Sequence, residues 1–323
     1  MRHFDADQVH QRLDYPRLVE ALRQAHRDGE MPQMHVNVLS DSQRDENKFV
    51  SLLSWASGEV IAVKMVGVFP GNTGLSPPQP SVQGLVALFD GQTGGALATC
   101  DGASLTFRKT AADSALGVDL LARPDAEVLL VVGAGGLAPH VIEAHTSVRP
   151  SLRKILLWNR NLAKAQQLAD RLQAAGQPVT VVSSLDDAVT EADIISCVTM
   201  ATEPLVRGVL LKPGAHVDLI GAYKHDMREA DDDVLRRAGC LFVDTRNNAK
   251  GSGDVAGPLA AGVIGEQDIV ADLFDLCKGR HPGRTSAGEI TVYKNVGGGH
   301  LDMFAARHLL SQAESIGKVL SHS

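Results

Sequence analysis

A glycine-rich stretch, Gly133-Ala134-Gly135-Gly136-Leu137-Ala138, has the residue types and spacing of a phosphate-binding turn. It directly follows the apolar run 127–132 and opens a segment that we predict to be helical, with Pro139 in its first turn. In that context the first glycine permits a tight turn, the second lets a pyrophosphate approach the backbone, and a small third residue lets helix and strand pack closely. Unpaired amides at the start of the helix then attract the phosphates. We therefore predict a dinucleotide site formed by Gly133, Gly135, Gly136, Leu137 and Ala138, the alternative being a glycine turn without a ligand.

The next apolar run, 154–158, ends in Trp158-Asn159-Arg160-Asn161 and carries no acidic residue. An acid at this point usually accepts hydrogen bonds from the ribose 2′-hydroxyl of NAD, whereas a guanidinium can pair with a 2′-phosphate. Asn159 and Arg160 therefore predict that NADP(H) is preferred and NAD(H) possible, unless Arg160 is merely a solvated residue at the helix start. After the fourth predicted strand of this region we expect further cofactor contacts from Thr199, Ala201 and Thr202.

Two cations precede the glycine turn in the chain and could hold a carboxylate. Lys64 lies inside the apolar strand-like run Ile61-Ala-Val-Lys-Met-Val-Gly-Val68, where burial would lower its pKa toward the range of proton transfer. Arg108 precedes a run of small residues and offers a planar fork that matches a carboxylate. The alternatives are a lysine at a strand edge and a surface arginine.

The elements that position these residues fall into two patterns. Residues 31–113 contain short apolar runs separated by turn signals, including Asp90-Gly91, which predicts a hairpin turn with positive φ. From residue 127, predicted strands at 127–132, 154–158, 179–182, 193–197, 216–220 and 240–244 alternate with helical segments. This alternation predicts an α/β protein with a Rossmann-type, doubly wound parallel sheet. A last helix near 302–319 lies beyond the pattern and can return to the first domain.

Composition sets limits on function. The 323 residues are 44% hydrophobic with a formal net charge of −7, which disfavours nucleic acid as a partner. The four cysteines are scattered, the amino-terminal residues are polar, and no apolar run reaches the ~18 residues that a bilayer span needs. We therefore expect a cytoplasmic protein with neither a metal site nor a membrane partner.

Several further motifs, taken with the glycine turn, make the whole chain resemble the ornithine cyclodeaminase/mu-crystallin family. The resemblance is carried by Val63-Lys-Met-Val66, Arg108-Lys-Thr-Ala-Ala-Asp-Ser-Ala115, Ala201-Thr-Glu-Pro204, Lys212-Pro-Gly-Ala-His216, Gly221-Ala-Tyr-Lys-His-Asp-Met-Arg-Glu229 and Thr291-Val-Tyr-Lys-Asn-Val-Gly297. It implies a homodimer, with a discontinuous α+β dimerisation and substrate domain at 1–115 and 302–323 and a dinucleotide-binding domain at 116–301.

Two departures from the family pattern bear on the substrate. The cyclodeaminases of the family carry a catalytic Asp two residues after the glycine that corresponds to Gly221, but Tyr223 stands there, and a phenol does not supply a carboxylate's charge near neutral pH. The family also has an Arg shortly after Met-Pro that helps to hold the substrate carboxylate. Here the stretch is Met31-Pro-Gln-Met-His35, so His35 is the nearest candidate for that role.

The sequence is thus closer to the ketimine reductases of the family, with Tyr223 and His35 as substrate contacts and Lys64 and Arg108 as catalytic and carboxylate-binding residues. We expect an NAD(P)H-dependent reductase that converts a Δ1-pyrroline-2-carboxylate-like imine to an amino acid such as proline. The alternatives are a cyclodeaminase that uses bound NAD and releases ammonia, and a non-catalytic protein of mu-crystallin type that binds NADPH or another ligand.

The strand tip at Asn159 and Arg160 gives a prediction about the cofactor. NADPH should bind more tightly than NADH, and Arg160→Ala should remove most of the difference, because the guanidinium is the group expected to pair with the 2′-phosphate. Titrating both cofactors into both proteins by nicotinamide fluorescence checks this. Equal or tighter binding of NADH by the unsubstituted protein would show that Arg160 has no such role.

Overall fold

The chain folds as two compact units, each built on its own sheet. A computed structural model describes the backbone of residues 1–320 and the side chains of residues 1–313. The first unit comprises residues 1–25, 29–110 and the chain from Gly298, and the second comprises residues 26–28 and 111–297. The first unit is therefore discontinuous in sequence. The boundaries at 115/116 and 301/302, and the roles that the sequence assigns to each side of them, stay predictions.

The chain before residue 125 is rich in strands, whereas strands alternate with helices in most of the chain after it. The elements of the first part are β1 (Arg2–Phe4), α1 (Ala6–Arg12), α2 (Tyr15–Asp28), β2 (Gln33–Ser40), β3 (Lys48–Ala56), β4 (Val60–Val68), β5 (Val82–Asp90), β6 (Ala96–Asp101) and α3 (Gly102–Leu121). Those of the second part are β7 (Val128–Val132), α4 (Ala138–Val148), β8 (Lys154–Trp158), α5 (Leu162–Ala174), β9 (Val179–Val181), α6 (Leu185–Glu191), β10 (Ile194–Cys197), β11 (His216–Leu219), α7 (Asp232–Ala238), β12 (Leu241–Val243), α8 (Arg246–Ala249), α9 (Gly253–Ala260), β13 (Ile269–Asp272), α10 (Leu273–Cys277), β14 (Thr291–Lys294) and α11 (Gly299–Leu320). Within residues 1–320, no helix combines the length and hydropathy that crossing a bilayer requires.

The sheet of the first unit has the order β1-β6-β5-β4-β3-β2 and is antiparallel except for its β1–β6 pair. Val60 and Ala62 of β4 are buried, and they share one face with Lys64 because successive side chains of a strand alternate between faces. Helix α11 packs against β3, β4 and β5. Its glycine, Gly299, permits this approach, since a side chain there would collide with the buried Ser54. We call the side with Lys64 the helix-covered face and the opposite side the open face.

The sheet of the second unit is parallel throughout, with the order β13-β12-β14-β11-β10-β7-β8-β9. The chain runs outward from β7 to β8 and β9, then returns to β10 on the other side of β7. Loops that follow β7 and β10 therefore diverge at the point where the strand order reverses, which is where ligands bind in open α/β sheets. The predicted doubly wound parallel sheet is confirmed.

Strands β13 and β14 are absent from the sequence prediction. β14 lies between β11 and β12, inside the sheet, and its residues Thr291, Val292, Tyr293 and Lys294 are all buried. A four-residue strand with a threonine, a tyrosine and a lysine lacks the continuous apolar run by which buried parallel strands are recognised.

The turn between β5 and β6 differs from the prediction at Asp90-Gly91. The loop spans residues 91–95, and the residue with positive φ is Gly94 (φ 72°), not Gly91. The carboxylate of Asp90 accepts hydrogen bonds from the backbone amides of Gln92 and Thr93, which stabilises this longer loop. Gly91 is needed for another reason, because a Cβ there would lie 2.5 Å from the backbone nitrogen of Val60.

Candidate functional site

The glycine turn of the second unit has the geometry of an anion site. Gly133 follows β7 with a φ of 115°, and a Cβ there would lie 2.9 Å from the carbonyl oxygen of Val198. A Cβ at Gly135 would meet no atom within 4 Å, so this side of the turn is open. Helix α4 begins directly after Leu137, whose side chain cannot accept a hydrogen bond from the first amides of the helix. The amide of Ala138 already donates to the carbonyl of Gly135 at 3.1 Å and Pro139 has no N–H, so it is the open backbone of the glycine turn itself that fits the pyrophosphate of a dinucleotide.

The tip of β8 supports this turn. The side-chain oxygen of Asn159 accepts a hydrogen bond from the amide of Ala134 at 3.2 Å, and its nitrogen donates to the carbonyl of Asn161 at 2.8 Å. Asn159 is thus committed to the backbone of the turn, whereas Arg160 is exposed to solvent. The arrangement leaves a positive and not a negative charge at the strand tip, as recognition of a 2′-phosphate requires.

The segment after β10 carries the other predicted cofactor contacts. Thr199 is half-buried, and both its amide and its hydroxyl donate to the carboxylate of Glu229, at 2.6 and 2.8 Å. The amide of Ala201 donates to the Thr199 hydroxyl at 3.3 Å, and Thr202 is exposed. Glu229 was not predicted, because nothing in its position in the chain distinguishes it from an ordinary surface acid.

In the first unit, two lysines converge on one carboxylate. The Nζ of Lys64 donates to the hydroxyl of Thr106 at 2.7 Å and to Oδ1 of Asp302 at 3.3 Å. The Nζ of Lys109 lies 3.7 Å from the same oxygen. We call Lys64, Thr106, Lys109 and Asp302 the lysine cluster. Its three charged residues are buried, and strand β4 and helices α3 and α11 supply its members.

The charges of the lysine cluster do not cancel. Two ammonium groups face one carboxylate, and Oδ2 of Asp302 has no hydrogen-bond partner among the described residues. Burial lowers the pKa of Lys64, the carboxylate of Asp302 raises it, and the ammonium of Lys109 lowers it. The cluster can therefore accept an anionic ligand, and its Lys64 is adjusted toward giving up a proton.

The contacts of Arg108 lie elsewhere. Its Nε donates to Nδ1 of His10 at 3.1 Å, and its guanidinium lies 4.5 Å from the ring centre of Tyr15. Residues three apart on a helix are neighbours and residues two apart are not, so Thr106 and Lys109 share the side of α3 that faces Lys64. We predicted that Arg108 and Lys64 together hold the substrate carboxylate; beside Lys64 and Asp302 the structure places Lys109 as a further cation. The chemical role given to Arg108 stays a prediction.

His35 lies on the open face of the first sheet. It pairs with Leu53, which pairs with Val63, whereas Lys64 pairs with Leu52, which pairs with Val36. Directly paired residues point to the same side of a sheet. The ring of His35 is exposed and lies 3.2 Å from the side-chain oxygen of Asn37. The structure therefore does not bring His35 together with Lys64. Side chains alternate between the two faces along each strand, and the register places His35 on the face opposite to Lys64.

Tyr223 follows β11 in the second unit. Its side chain is 48% exposed, and the Nζ of Lys224 lies 5.6 Å from its ring centre. The phenol is thus on a surface loop, and its predicted contact with a substrate stays a prediction.

Comparison with known proteins gives concordant results. A sequence model of the ornithine cyclodeaminase/mu-crystallin family matches residues 6–316. The chain is 41% identical over 299 residues to a Δ1-pyrroline-2-carboxylate reductase of Paracoccus denitrificans, covering 92% of each chain. It is 38% identical over 264 residues to the ketimine reductase mu-crystallin of Mus musculus, covering 81% of this chain and 79% of that one. The Δ1-pyrroline-2-carboxylate reductase of Thermococcus litoralis, solved with NADH and L-proline, matches with a TM-score of 0.89 at 28% identity, covering 98% of both chains.

The lysine cluster gives a prediction about stability and its pH dependence. Asp302→Asn should lower the free energy of unfolding at pH 7 by about 3–5 kcal/mol, because it leaves two buried ammonium groups without their counter-ion. The carboxylate raises the pKa of Lys64, so its loss lowers that pKa further below the unfolded value. The unfolded chain then binds more protons than the folded one, and the deficit should shrink as the pH rises toward 10.

Urea unfolding between pH 6 and pH 10 checks this prediction. Asp302→Asn combined with Lys109→Met should recover part of the loss, since one of the like charges is gone. Glu59→Gln is the control, because Glu59 forms an exposed ion pair with Arg307 that should contribute about 1 kcal/mol or less. A deficit that does not change with pH would contradict the electrostatic explanation.

Proposed function

The chain belongs to the ornithine cyclodeaminase/mu-crystallin family, and we propose that it is an NAD(P)H-dependent reductase of a ketimine that carries a carboxylate. The type reaction is the reduction of Δ1-pyrroline-2-carboxylate to proline. The observation that carries this proposal is the lysine cluster, which holds one more positive than negative charge in a buried place. An imino acid presents the matching features, a carboxylate and a nitrogen that must gain a proton when the C=N bond is reduced.

The residues of the second unit fit a nicotinamide dinucleotide. The positive φ of Gly133, the open side of Gly135 and the exposed Arg160 match a pyrophosphate and a 2′-phosphate. When bound, such a cofactor supplies the hydride that the imine carbon receives. The Thermococcus litoralis reductase was solved with NADH, which supports use of a nicotinamide cofactor. The preference for NADP(H) rests on Arg160.

The two lysines of the lysine cluster have different proposed roles, proton donation and carboxylate binding. We assign the proton to Lys64, whose pKa burial lowers, so that its Nζ can donate to the imine nitrogen while hydride reaches the carbon. Lys109 then holds the substrate carboxylate, with Thr106 and Asp302 fixing the direction of the Lys64 ammonium. Atoms balance because the imine gains one hydride from the cofactor and one proton from Lys64, which a solvent proton replenishes.

Kinetics of lysine variants test this proposal. With Δ1-pyrroline-2-carboxylate and NADPH, Lys64→Met should lower kcat by about 10²–10⁴-fold and change the alkaline limb of the pH–rate profile, since it removes the proton donor. Lys109→Met should chiefly raise KM, because a carboxylate is bound about equally in the ground and transition states. Oxidation of the cofactor is followed at the nicotinamide absorbance band.

Two further variants complete the kinetic experiment. Lys48→Met removes a lysine of β3 that pairs with Asp45 away from the lysine cluster, and it should leave kcat and KM near their original values. Arg108→Met compares the two candidate carboxylate ligands directly. A large rise in KM for Arg108→Met with none for Lys109→Met would return the carboxylate to Arg108. Absence of turnover with cyclic and linear ketimines alike would favour a non-catalytic ligand-binding protein.

The cyclodeaminase alternative has its own test. Incubation of the protein with ornithine and NAD should yield neither proline nor ammonia, because Tyr223 stands where such an enzyme needs a carboxylate. Ammonia is measured with a coupled assay that consumes it, and proline by chromatography. Steady ammonia release from ornithine would replace the proposed reductase with a cyclodeaminase.

We also propose that the protein is a homodimer that pairs through the open face of the first sheet. Leu39, Phe49, Leu53, Trp55 and Leu85 share this face by their strand register, and each is at least 36% exposed. An exposed apolar patch of this kind marks an interaction site, and a second copy of the same sheet is self-complementary to it across a two-fold axis.

Light scattering after size exclusion tests the dimer. The protein should have twice its chain mass of 34.3 kDa, and Leu53→Glu with Trp55→Glu should give a monomer, because two carboxylates would be buried in an apolar interface. Val209→Glu, at another exposed apolar residue, is the control and should leave the mass unchanged. A monomer before substitution would exclude this assembly.

A further inference from the structure

One buried carboxylate of the second unit binds two different loops. Oε1 of Glu229 accepts hydrogen bonds from the amide and hydroxyl of Thr199, at 2.6 and 2.8 Å. Its Oε2 accepts from the amides of Gly221 and Ala222, at 2.7 and 3.2 Å. Thr199 follows β10, and Gly221 and Ala222 follow β11, so Glu229 joins the carboxyl ends of two neighbouring strands.

The loop after β11 packs closely on the loop after β10 at Gly221. A Cβ at Gly221 would overlap the backbone of Thr199 and would lie 2.6 Å from Oε1 of Glu229. The glycine therefore lets the loop after β11 lie directly on the loop after β10, with the carboxylate between their amides. Because Thr199 is a predicted cofactor contact and Tyr223 a predicted substrate contact, the same carboxylate fixes segments that serve both.

All four groups that point at Glu229 are donors. An ionised carboxylate accepts from all four groups. A protonated one must donate from one oxygen, for which the Thr199 hydroxyl is the one acceptor among the four, and its contacts with the three amides lose their charge assistance. The ionised form therefore binds the two loops more strongly.

Burial opposes that ionised form. Glu229 is fully buried, which raises its pKa to about 7, and Asp254 of α9 raises it as well. Lys294 of β14 opposes this shift with its buried ammonium, whose Nζ lies 3.1 Å from Oδ2 of Asp254. A further titratable neighbour is the buried thiol of Cys197 in β10, whose own pKa is raised by burial and by the carboxylates of Glu229, Asp254 and Asp218.

We propose that Glu229 is the positioning residue of the cofactor site, and that loss of its negative charge releases the loops after β10 and β11 and weakens cofactor binding. This inference rests on the proposed use of a nicotinamide dinucleotide. Glu229 acts through the loop backbone and not by contact with the reacting atoms. The affinity for the nicotinamide dinucleotide should therefore depend on the ionisation of Glu229, with tight binding above neutral pH and weaker binding below it.

The test measures the Kd for NADH between pH 6 and pH 8.5. NADH is the probe because its pyrophosphate does not titrate in this range, whereas a 2′-phosphate would. If only the ionised form binds, Kd should rise about tenfold at pH 6, where about a tenth of a group with a pKa near 7 is ionised. Glu229→Gln should raise Kd at pH 8.5 by more than about tenfold and give a flat profile, because its amide does not titrate and presents donors to the loop amides.

Two variants separate this role from general stability. Thr199→Val removes one of the four donors but keeps the carboxylate, so it should weaken binding less and retain the dependence on pH. Glu203→Gln, at an exposed acid of the same segment, should bind NADH as before at every pH. A flat profile for the unsubstituted protein, or an unchanged slope in Glu229→Gln, overturns the inference.

Hydrogen exchange of the protein alone provides a readout independent of the cofactor. After correction for intrinsic rates, peptides containing 198–201 and 220–223 should lose protection below pH 7, and the peptide of β7 should not. Glu229→Gln should show the same loss at all pH values. If the two loop peptides lose protection below pH 7 but NADH does not bind, the proposed cofactor is wrong, whereas the role of Glu229 in ordering the loops is supported. If NADH binds and protection does not change, the inference alone is wrong.

Discussion

The carboxylate of Asp302 is the interaction on which the first unit depends. Without it, the ammonium groups of Lys64 and Lys109 would lie buried against each other, and neither could be charged at moderate cost. Asp302 belongs to α11, which follows the second unit in the chain and packs on the first sheet with buried apolar side chains such as Leu301 and Phe304. The return of the chain to the first unit therefore supplies both apolar burial and the counter-ion on which the proposed chemistry of Lys64 depends.

The second unit uses buried carboxylates for a different purpose, which is to bind backbone amides at the ends of its strands. Asp193 accepts the amides of Glu127 and Val128 at the amino end of β7, at 2.8 and 2.9 Å. Asp244 accepts the amides of Val296 and Gly297 after β14. Glu229 does the same for the loops after β10 and β11. The carboxylates thus add hydrogen-bond partners for loop amides beyond those that the strands and the Val206–Ala230 bridge provide.

What the sequence predicts well is local. The glycine turn, the strand before it and the helix after it follow from residues within a few positions of one another, and the structure has them where the pattern indicates. Lys109 and His35 illustrate what local reasoning cannot place. Which of two adjacent cations on α3 meets Lys64 depends on helix phase, and which side of the sheet His35 occupies depends on the register of three strands. β14 was missed because its burial comes from its neighbours and not from its own composition.

The pairing of Lys64 with Asp302 also has a consequence for the order in which the protein is made. The two residues are 238 positions apart, and at translation rates of about 5–20 residues per second the partner of Lys64 leaves the ribosome roughly 10–50 s later. During that interval the face of β3, β4 and β5 that α11 will cover is exposed, whereas the chain of the second unit is almost wholly synthesised. The residues of the second unit are therefore available to fold before the first unit is complete, and the uncovered face of the amino-terminal sheet is the apolar surface exposed in the meantime.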